Sequence, residues 1–309
     1  MVALPPEGAS GLAEGTTRLG DSAVRLVAPI GSRAGSGRMA GIRHSLDIYI
    51  PAAVLVVILF FCFLWPLIYT IPPPVGGSIL DAGLPIGSPG HILGTDTVGN
   101  DIMSRLLYGG RVSFELVAAV QLIGLVVGGG IGVFCASLSG LSEAVVMRVI
   151  DVLIAFPAVV LVLAIVDGLG AGEVHLIWAL SAISIPSFAR LARSAAIGLR
   201  EQTFVVAAGL SGTSPTRIVL RHVIPNILPQ MLTFSCLGAA VVVVLEATLS
   251  FFGYGIPAPG PSWGNMIAIG QQTMIAQPLL VIIPSCFLFV TVVALNTLGD
   301  GLRAHWGVQ

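Results

Sequence analysis

Phe204-Val205-Val206-Ala207-Ala208-Gly209-Leu210-Ser211-Gly212 opens a stretch that continues through Arg217, Arg221 and His222 to Pro225. It is an Arg-bearing island, punctuated by Gly and Pro, between two segments each apolar enough to cross a bilayer. Residues 199–210 favour helix, and Ala207 and Ala208 present small side chains to whatever lies opposite. Gly212 follows the last helical turn, where a left-handed residue commonly ends a helix and Gly adopts that conformation without a Cβ penalty. Ser214-Pro215 reads as the start of a second helix, with Ser as N-cap and Pro at the first helical position. That helix would carry Arg217 and Arg221 four apart on one face, and Pro225 and Pro229 mark entry into the next span. The spacing predicts a short helix-turn-helix lying across a membrane surface, able to carry a push without bending. An ordinary arginine-rich loop is the plain alternative from local features alone.

The rest of the chain supplies the membrane. It is 55% hydrophobic and 9% charged, with a mean hydropathy of +0.98, against about a quarter charged in soluble domains. All 14 basic residues are Arg. No basic cluster interleaved with aromatics points to nucleic acid. Cys62, Cys135, Cys236 and Cys286 fall inside apolar segments without metal-ligand spacing, where Cys behaves as a small hydrophobe. Residues 1 to about 42 lack the apolar core of a signal peptide, so the first hydrophobic run is expected to act as an uncleaved anchor.

About 20 apolar residues in helix span the hydrocarbon core, and six segments qualify: 48–71, 112–138, 149–166, 174–189, 227–249 and 279–298. The fourth is short and interrupted by Pro186, which neighbouring helices make tolerable in a membrane. With the amino terminus inside, the cytoplasmic side receives Arg18, Arg25, Arg33, Arg38, Arg43, Arg148, Arg190, Arg193, Arg200, Arg217, Arg221 and Arg303, leaving only Arg105 and Arg111 outside. The positive-inside rule therefore puts both termini, and the Phe204–Pro225 island, in the cytoplasm. The expected organisation is an all-α polytopic membrane protein of six transmembrane helices. A disordered cytoplasmic tail (1–42) precedes a membrane domain (43–303), and a short tail (304–309) follows it. Within the domain, an external loop (72–111) starts with a stiff Pro72-Pro73-Pro74 exit and ends in an amphipathic stretch over 102–108. A second external loop (250–278) is turn-rich, with Trp263 suited to the headgroup region. The cytoplasmic hairpin occupies 198–225.

Several ordered motifs resemble the C-type membrane subunit of dipeptide/oligopeptide ABC importers, over roughly residues 90–303. The Ala207-Ala208, Gly212 and His222-Val223-Ile224-Pro225 spacing resembles the loop by which such subunits dock onto their ATPases. His91-Ile92-Leu93-Gly94-Thr95-Asp96 with Gly99-Asn100-Asp101, and Arg148-Val149-Ile150-Asp151 with Phe156-Pro157, are similar to the family's segments around spans two and three. Glu246-Ala247-Thr248-Leu249-Ser250-Phe251-Phe252-Gly253 and Pro261-Ser262-Trp263-Gly264 are similar to its span-five exit, and Asn296-Thr297-Leu298-Gly299-Asp300-Gly301 to its carboxyl-terminal signature. Val206 departs from the Glu or polar residue usual in the docking motif, and Asn100 from a usual Arg.

The resemblance implies the type I ABC importer permease fold and a plasma (inner) membrane location. It implies pairing with a homologous B-type permease, two ABC ATPase subunits beneath and an extracellular solute-binding protein above, all in membrane lipid. Ala207, Ala208, Gly212, Arg217, Arg221 and Pro225 would form the ATPase-docking surface. The chain itself would have no catalytic residue, cofactor or metal, ATP and Mg being bound by the partner ATPases. The implied cargo is di- or oligopeptide, with nickel chelates, glutathione or oligosaccharides as alternatives in related permeases.

Charges in a bilayer are functional suspects, which makes Arg148, Asp151, Glu246 and Asp300 structural or gating candidates. Arg148 and Asp151 are three apart, so a local ion pair is the simplest reading. Glu246 reads as a capping or inter-subunit hydrogen bond. Gly124, Gly128, Gly129, Gly130 and Gly132 give span two a small packing face, with the partner permease as one candidate neighbour. An ion-driven secondary transporter would favour ionisable residues near span centres, and an intramembrane enzyme would need catalytic motifs that do not occur here.

Overall fold

The computed structural model describes residues 37–138 and 140–307. The expected tail, residues 1–42, falls for the most part outside the described residues. From His44 onward the chain forms one compact unit. Among the described residues, five helices are long and apolar enough to cross a membrane, and a sixth span results if one bent pair is counted.

The first span is helix α1 (Gly37–Leu59), which passes through a π-helical turn (Phe60–Leu64) into α2 (Trp65–Ile68). The second is α3 (Ile102–Ile123), another π-turn (Gly124–Gly128) and α4 (Gly129–Ser137). It starts ten residues before the expected Val112, because Asp101 caps it: the Ser104 amide donates to Asp101 Oδ1 at 2.7 Å. The amphipathic stretch 102–108 therefore belongs to the span rather than to the loop. The expected third span is two helices, α5 (Leu141–Ala155) and α6 (Ala158–Leu169), bent by 90°. Pro157 causes the break, since it disfavours helix at Phe156, which is extended at ψ 137°.

Helix α7 (Glu173–Arg200) runs unbroken through Pro186 and exceeds the expected fourth span by eleven residues at its end. After a short α8 (Thr203–Leu210), α9 (Pro215–Ile218) leads through a π-turn (Val219–Val223) into α10 (Ile224–Phe251). Helix α11 (Trp263–Gln271) and the last span, α12 (Leu279–His305), complete the unit.

Of the small face of span two, Gly124, Gly128 and Gly132 pack inside this chain against α7, Gly129 meets Met231 of α10, and Gly130 faces open space. A Cβ on Gly124 would overlap the Ser184 hydroxyl and the Phe188 ring; on Gly128, the Ile185 carbonyl; on Gly132, the Ala189 carbonyl. Residues four apart overshoot an α-helical turn of 3.6 residues. The wider π-turn at Gly124–Gly128 brings them back onto one face. Without a hydrophobic driving force between helices in lipid, this close backbone approach is what holds two spans together. Phe188 then closes the seam, edge-on to Phe234 of α10 with ring centroids 5.0 Å apart.

The end of the bundle opposite α8 is sealed by polar contacts. Arg105 is buried at 3% exposure, 3.7 Å from Asp96, and donates to the carbonyls of Pro74 and Pro259. Asp96 in turn accepts the amides of Val98 and Asn100. Asn100 binds Asp96 Oδ2 and accepts the Gly77 amide, a structural task for an uncharged residue. Trp263 is no headgroup anchor: it is 1% exposed, and its Nε1 donates to the Leu106 carbonyl at 3.0 Å.

Gly132→Val is expected to destabilise the unit by about 1–3 kcal/mol through overpacking. Gly130→Ala, whose Cβ meets nothing within 4 Å, should be neutral. Thermal aggregation of the detergent-solubilised variants, followed by size-exclusion chromatography, checks both.

Candidate functional site

The Phe204–Pro225 island folds as a hairpin at the end of α7. Glu201 and Gln202 break the helix, and Gln202 caps α8 in an extended conformation at ψ 139°. Of the apolar side chains on α8, Val205 is buried, while Phe204, Val206 and Leu210 stand 43%, 48% and 86% exposed. A helix of 8 residues has little stability of its own, so its place is fixed by Val205 and by its two ends. An apolar cluster left open on a short surface helix is the mark of an interaction site.

The far end closes as the sequence predicts. Gly212 has φ +77°, its amide donates to the Gly209 carbonyl at 3.0 Å, and the Thr213 amide donates to the Ala208 carbonyl at 3.2 Å. These are the paired bonds of a Schellman motif. Ala207 is exposed and Ala208 half-buried, so the helix offers one nearly smooth strip beside Leu210. Ser214 occupies the N-cap of α9 with Pro215 next to it, although its hydroxyl makes no capping bond.

The second arm differs from expectation. It is not a separate helix: Pro215 to Phe251 is one rod of 37 residues, about 55 Å long at 1.5 Å per residue. Pro225 does not end it. A proline there removes the bond to the Arg221 carbonyl and crowds it, and the π-turn over Val219–Val223 absorbs the misfit. Arg217 and Arg221 are both exposed on the hairpin side of this rod. The His222 and Phe204 rings lie 6.3 Å apart and tie the two arms together.

Two ion pairs fix α5 to α7 nearby. Arg190 donates to Asp151 at 2.7 Å, and Arg193 Nε donates to Glu143 at 2.7 Å, with its Nη2 on the same oxygen. Asp151 is thus held by Arg190, thirty-nine residues away, and not by Arg148 as the i,i+3 spacing suggested. Tertiary packing brings α7 against Asp151, and Arg148 stays exposed. The i,i+3 spacing of Arg190 and Arg193 on one helix is the signal in the sequence that both can face a common partner.

Glu246 lies at the opposite end of the rod, wholly buried. Its oxygens accept from Ser113 Oγ of α3 at 2.9 Å and Ser250 Oγ at 2.8 Å, contacts within this chain rather than between subunits. Asp300 is exposed on α12, between Gly299, which abuts Leu237, and Gly301, which abuts the Asp47 carbonyl. The structure therefore gathers Ala207, Ala208, Gly212, Arg217, Arg221 and Pro225 at one hairpin and Arg148 and Asp151 on α5. It leaves Glu246 and Asp300 apart from both.

Residues 128–305 match the family model described as "Binding-protein-dependent transport system inner membrane component". The chain belongs to that family. It is similar to the glutathione transport system permease protein GsiD of Pectobacterium atrosepticum, 36% identical over 216 residues, covering 70% of this chain and 72% of that protein. GsiD of Escherichia coli O157:H7 is 37% identical over 213 residues, 69% of this chain and 70% of the relative. A Brucella suis protein whose name assigns it to a peptide transport system as a permease is 38% identical over 213 residues, 69% and 72% of the two chains.

Among solved structures, a chain of the MetNI methionine ABC transporter in an inward facing conformation superposes with a TM-score of 0.54. That match is 18% identical and covers 66% of this chain and 97% of that one. The fold is therefore that of a type I ABC importer permease, and this family member is a multi-pass inner-membrane protein.

In a double-mutant cycle, Asp151→Asn and Arg190→Gln are expected to couple by about 0.2–1 kcal/mol, the value of a half-exposed pair. Arg148→Ala should show no coupling to Asp151→Asn. Unfolding midpoints of the four variants in one detergent measure both.

Proposed function

We propose that this chain is one permease half of an ATP-driven importer for di- or oligopeptides, and that the 198–225 hairpin is where a cytoplasmic ATPase seats. The observation that carries this is the hairpin itself. A capped helix with open apolar side chains turns through a fixed Gly212 directly into a rod that traverses the bundle. Pressure on α8 or α9 is delivered along α10 without an intervening flexible joint.

In this reading both termini are cytoplasmic, as the twelve-to-two Arg distribution favours. A homologous permease completes the pathway, two ATPases bind below and hold ATP and Mg, and a solute-binding protein delivers cargo above. ATP-driven closure of the ATPases moves the hairpins and opens the pathway outward; hydrolysis resets it. Phe204, Val206 and Leu210 supply apolar contact, and Arg217 and Arg221 supply charge at the rim. Val206 in place of a polar residue shifts the balance of that contact toward apolar packing. Glutathione, a modified tripeptide, is the second cargo reading, favoured by the glutathione permeases among the relatives.

Tagged protein expressed with its genomic neighbours and isolated in mild detergent is expected to carry a second permease and two ATPase polypeptides. Recovery of a stable assembly of this chain alone would overturn the reading. Gly212→Val, which forces a β-branched residue into a left-handed conformation, should leave insertion and abundance near wild type. It should cut ATP-dependent peptide uptake by about tenfold or more, measured in proteoliposomes.

A further inference from the structure

Glu246 is fully buried in α10, yet no cation pairs with it among the ion pairs of the described residues. A buried carboxyl group without a counter-charge persists only where hydrogen bonds replace the water it has lost. Here they come from Ser113 of α3 at 2.9 Å and Ser250 at the end of α10 at 2.8 Å, with the buried Ser262 hydroxyl at the start of α11 lying beside them.

The direction of these bonds is set by the backbone. Ser250 Oγ accepts the Ile256 amide at 3.3 Å, and Ser262 Oγ accepts the Asn265 amide at 3.2 Å. With a lone pair on each oxygen so engaged, the hydroxyl protons are free to turn toward Glu246. One chain of amide, hydroxyl and carboxyl group thus reaches Glu246 from the 252–262 turn. The Ser262 hydroxyl, braced by the first turn of α11, whose N-terminus favours an anion, lies beside it. The constellation suits a group that only accepts hydrogen bonds. An amide would turn an N–H₂ toward a hydroxyl already aimed at it.

We propose that Glu246 is a positioning residue that latches the cap formed by residues 252–271 onto span two, and that movement of the α10 rod releases it. The proposal rests on the importer-permease reading, in which α10 begins at the ATPase-seating hairpin and the cap closes the outer end of the pathway. Close contacts seat the cap between the two spans: Gly264 abuts the Ala247 carbonyl of α10, and a Cβ on Gly109 of α3 would meet the Ser262 backbone at 3.2 Å. A rotation or slide of α10 carries Glu246 and Ser250 together and moves the carboxyl group away from Ser113 and Ser262, so the hold on span two is lost while the bond within α10 is kept. The hairpin and the cap are then the two ends of one lever.

The test uses the assembled transporter in proteoliposomes with a Tyr254→Cys reporter, since Tyr254 is 39% exposed in the cap. A membrane-impermeant maleimide reads cap opening, and the parent without the reporter supplies the background. Glu246→Gln is expected to assemble with its partners, to label about tenfold faster at rest, and to reach the rate the unsubstituted latch shows only in the ATP-trapped state. Ser262→Ala should raise the resting rate in the same direction, and the two substitutions together should give less than the product of their separate effects. Resting labelling at the parental rate in assembled Glu246→Gln overturns the latch, whatever happens to uptake. Should that variant fail to assemble, parental labelling in Ser262→Ala overturns it instead. Uptake by the unsubstituted complex that does not depend on ATP would fault the importer reading and not the latch.

Discussion

The unit depends on one close approach, that of span two to α7. Gly124, Gly128 and Gly132 let the two backbones meet without side chains between them, against carbonyls and small residues of α7. In lipid this is the available glue, because apolar side chains gain little by leaving one hydrocarbon for another. The π-turn over Gly124–Gly128 is the structural consequence, a local widening that keeps a four-residue repeat in register. Remaining contacts radiate from this seam. Phe188 reaches α10, and Arg190 and Arg193 hold α5. Leu176, Ala179 and Leu180 at the other end of α7 pack with α6 and α10.

Against that fixed pair, α10 joins two different structures at its ends. Its continuation into α9 gives it a handle in the hairpin, and Glu246 gives it a hold on the cap. Each end is built from a different kind of interaction. The hairpin uses backbone geometry, a Schellman closure that leaves apolar side chains open. The cap uses buried polar groups, which are costly when unmatched and therefore specific in where they permit a segment to sit.

Much of this was legible beforehand. The apolar runs, Gly212 after a helical turn and Ser214-Pro215 before the next one are local signals, and backbone sterics decide them within a few residues. The order of motifs along the chain pointed to the family, which the match over residues 128–305 shows. What escaped was of longer range. Asp151 had a candidate partner three residues away, and α7 supplied another from thirty-nine away. Trp263 carried the composition of an interfacial residue and sits in the core, because Gly110 makes room for its ring and Gly109 for the Ser262 backbone before it. Glu246 was read near the end of its span, and the loop that follows folds back over it with Ser262.

By itself the sequence determined that the chain crosses a membrane repeatedly and that a rigid hairpin separates two spans. Those properties depend on residues close together in the chain. Hydropathy over a window sets insertion, and the φ available to Gly212 sets a turn. Only the tertiary structure decided which charges meet, that Gly124, Gly128 and Gly132 of span two belong to α7, and that the hairpin's second arm is one rod with α10. These outcomes follow from packing between segments far apart in sequence, where each side chain's neighbours are fixed by crossing helices and not by spacing along the chain.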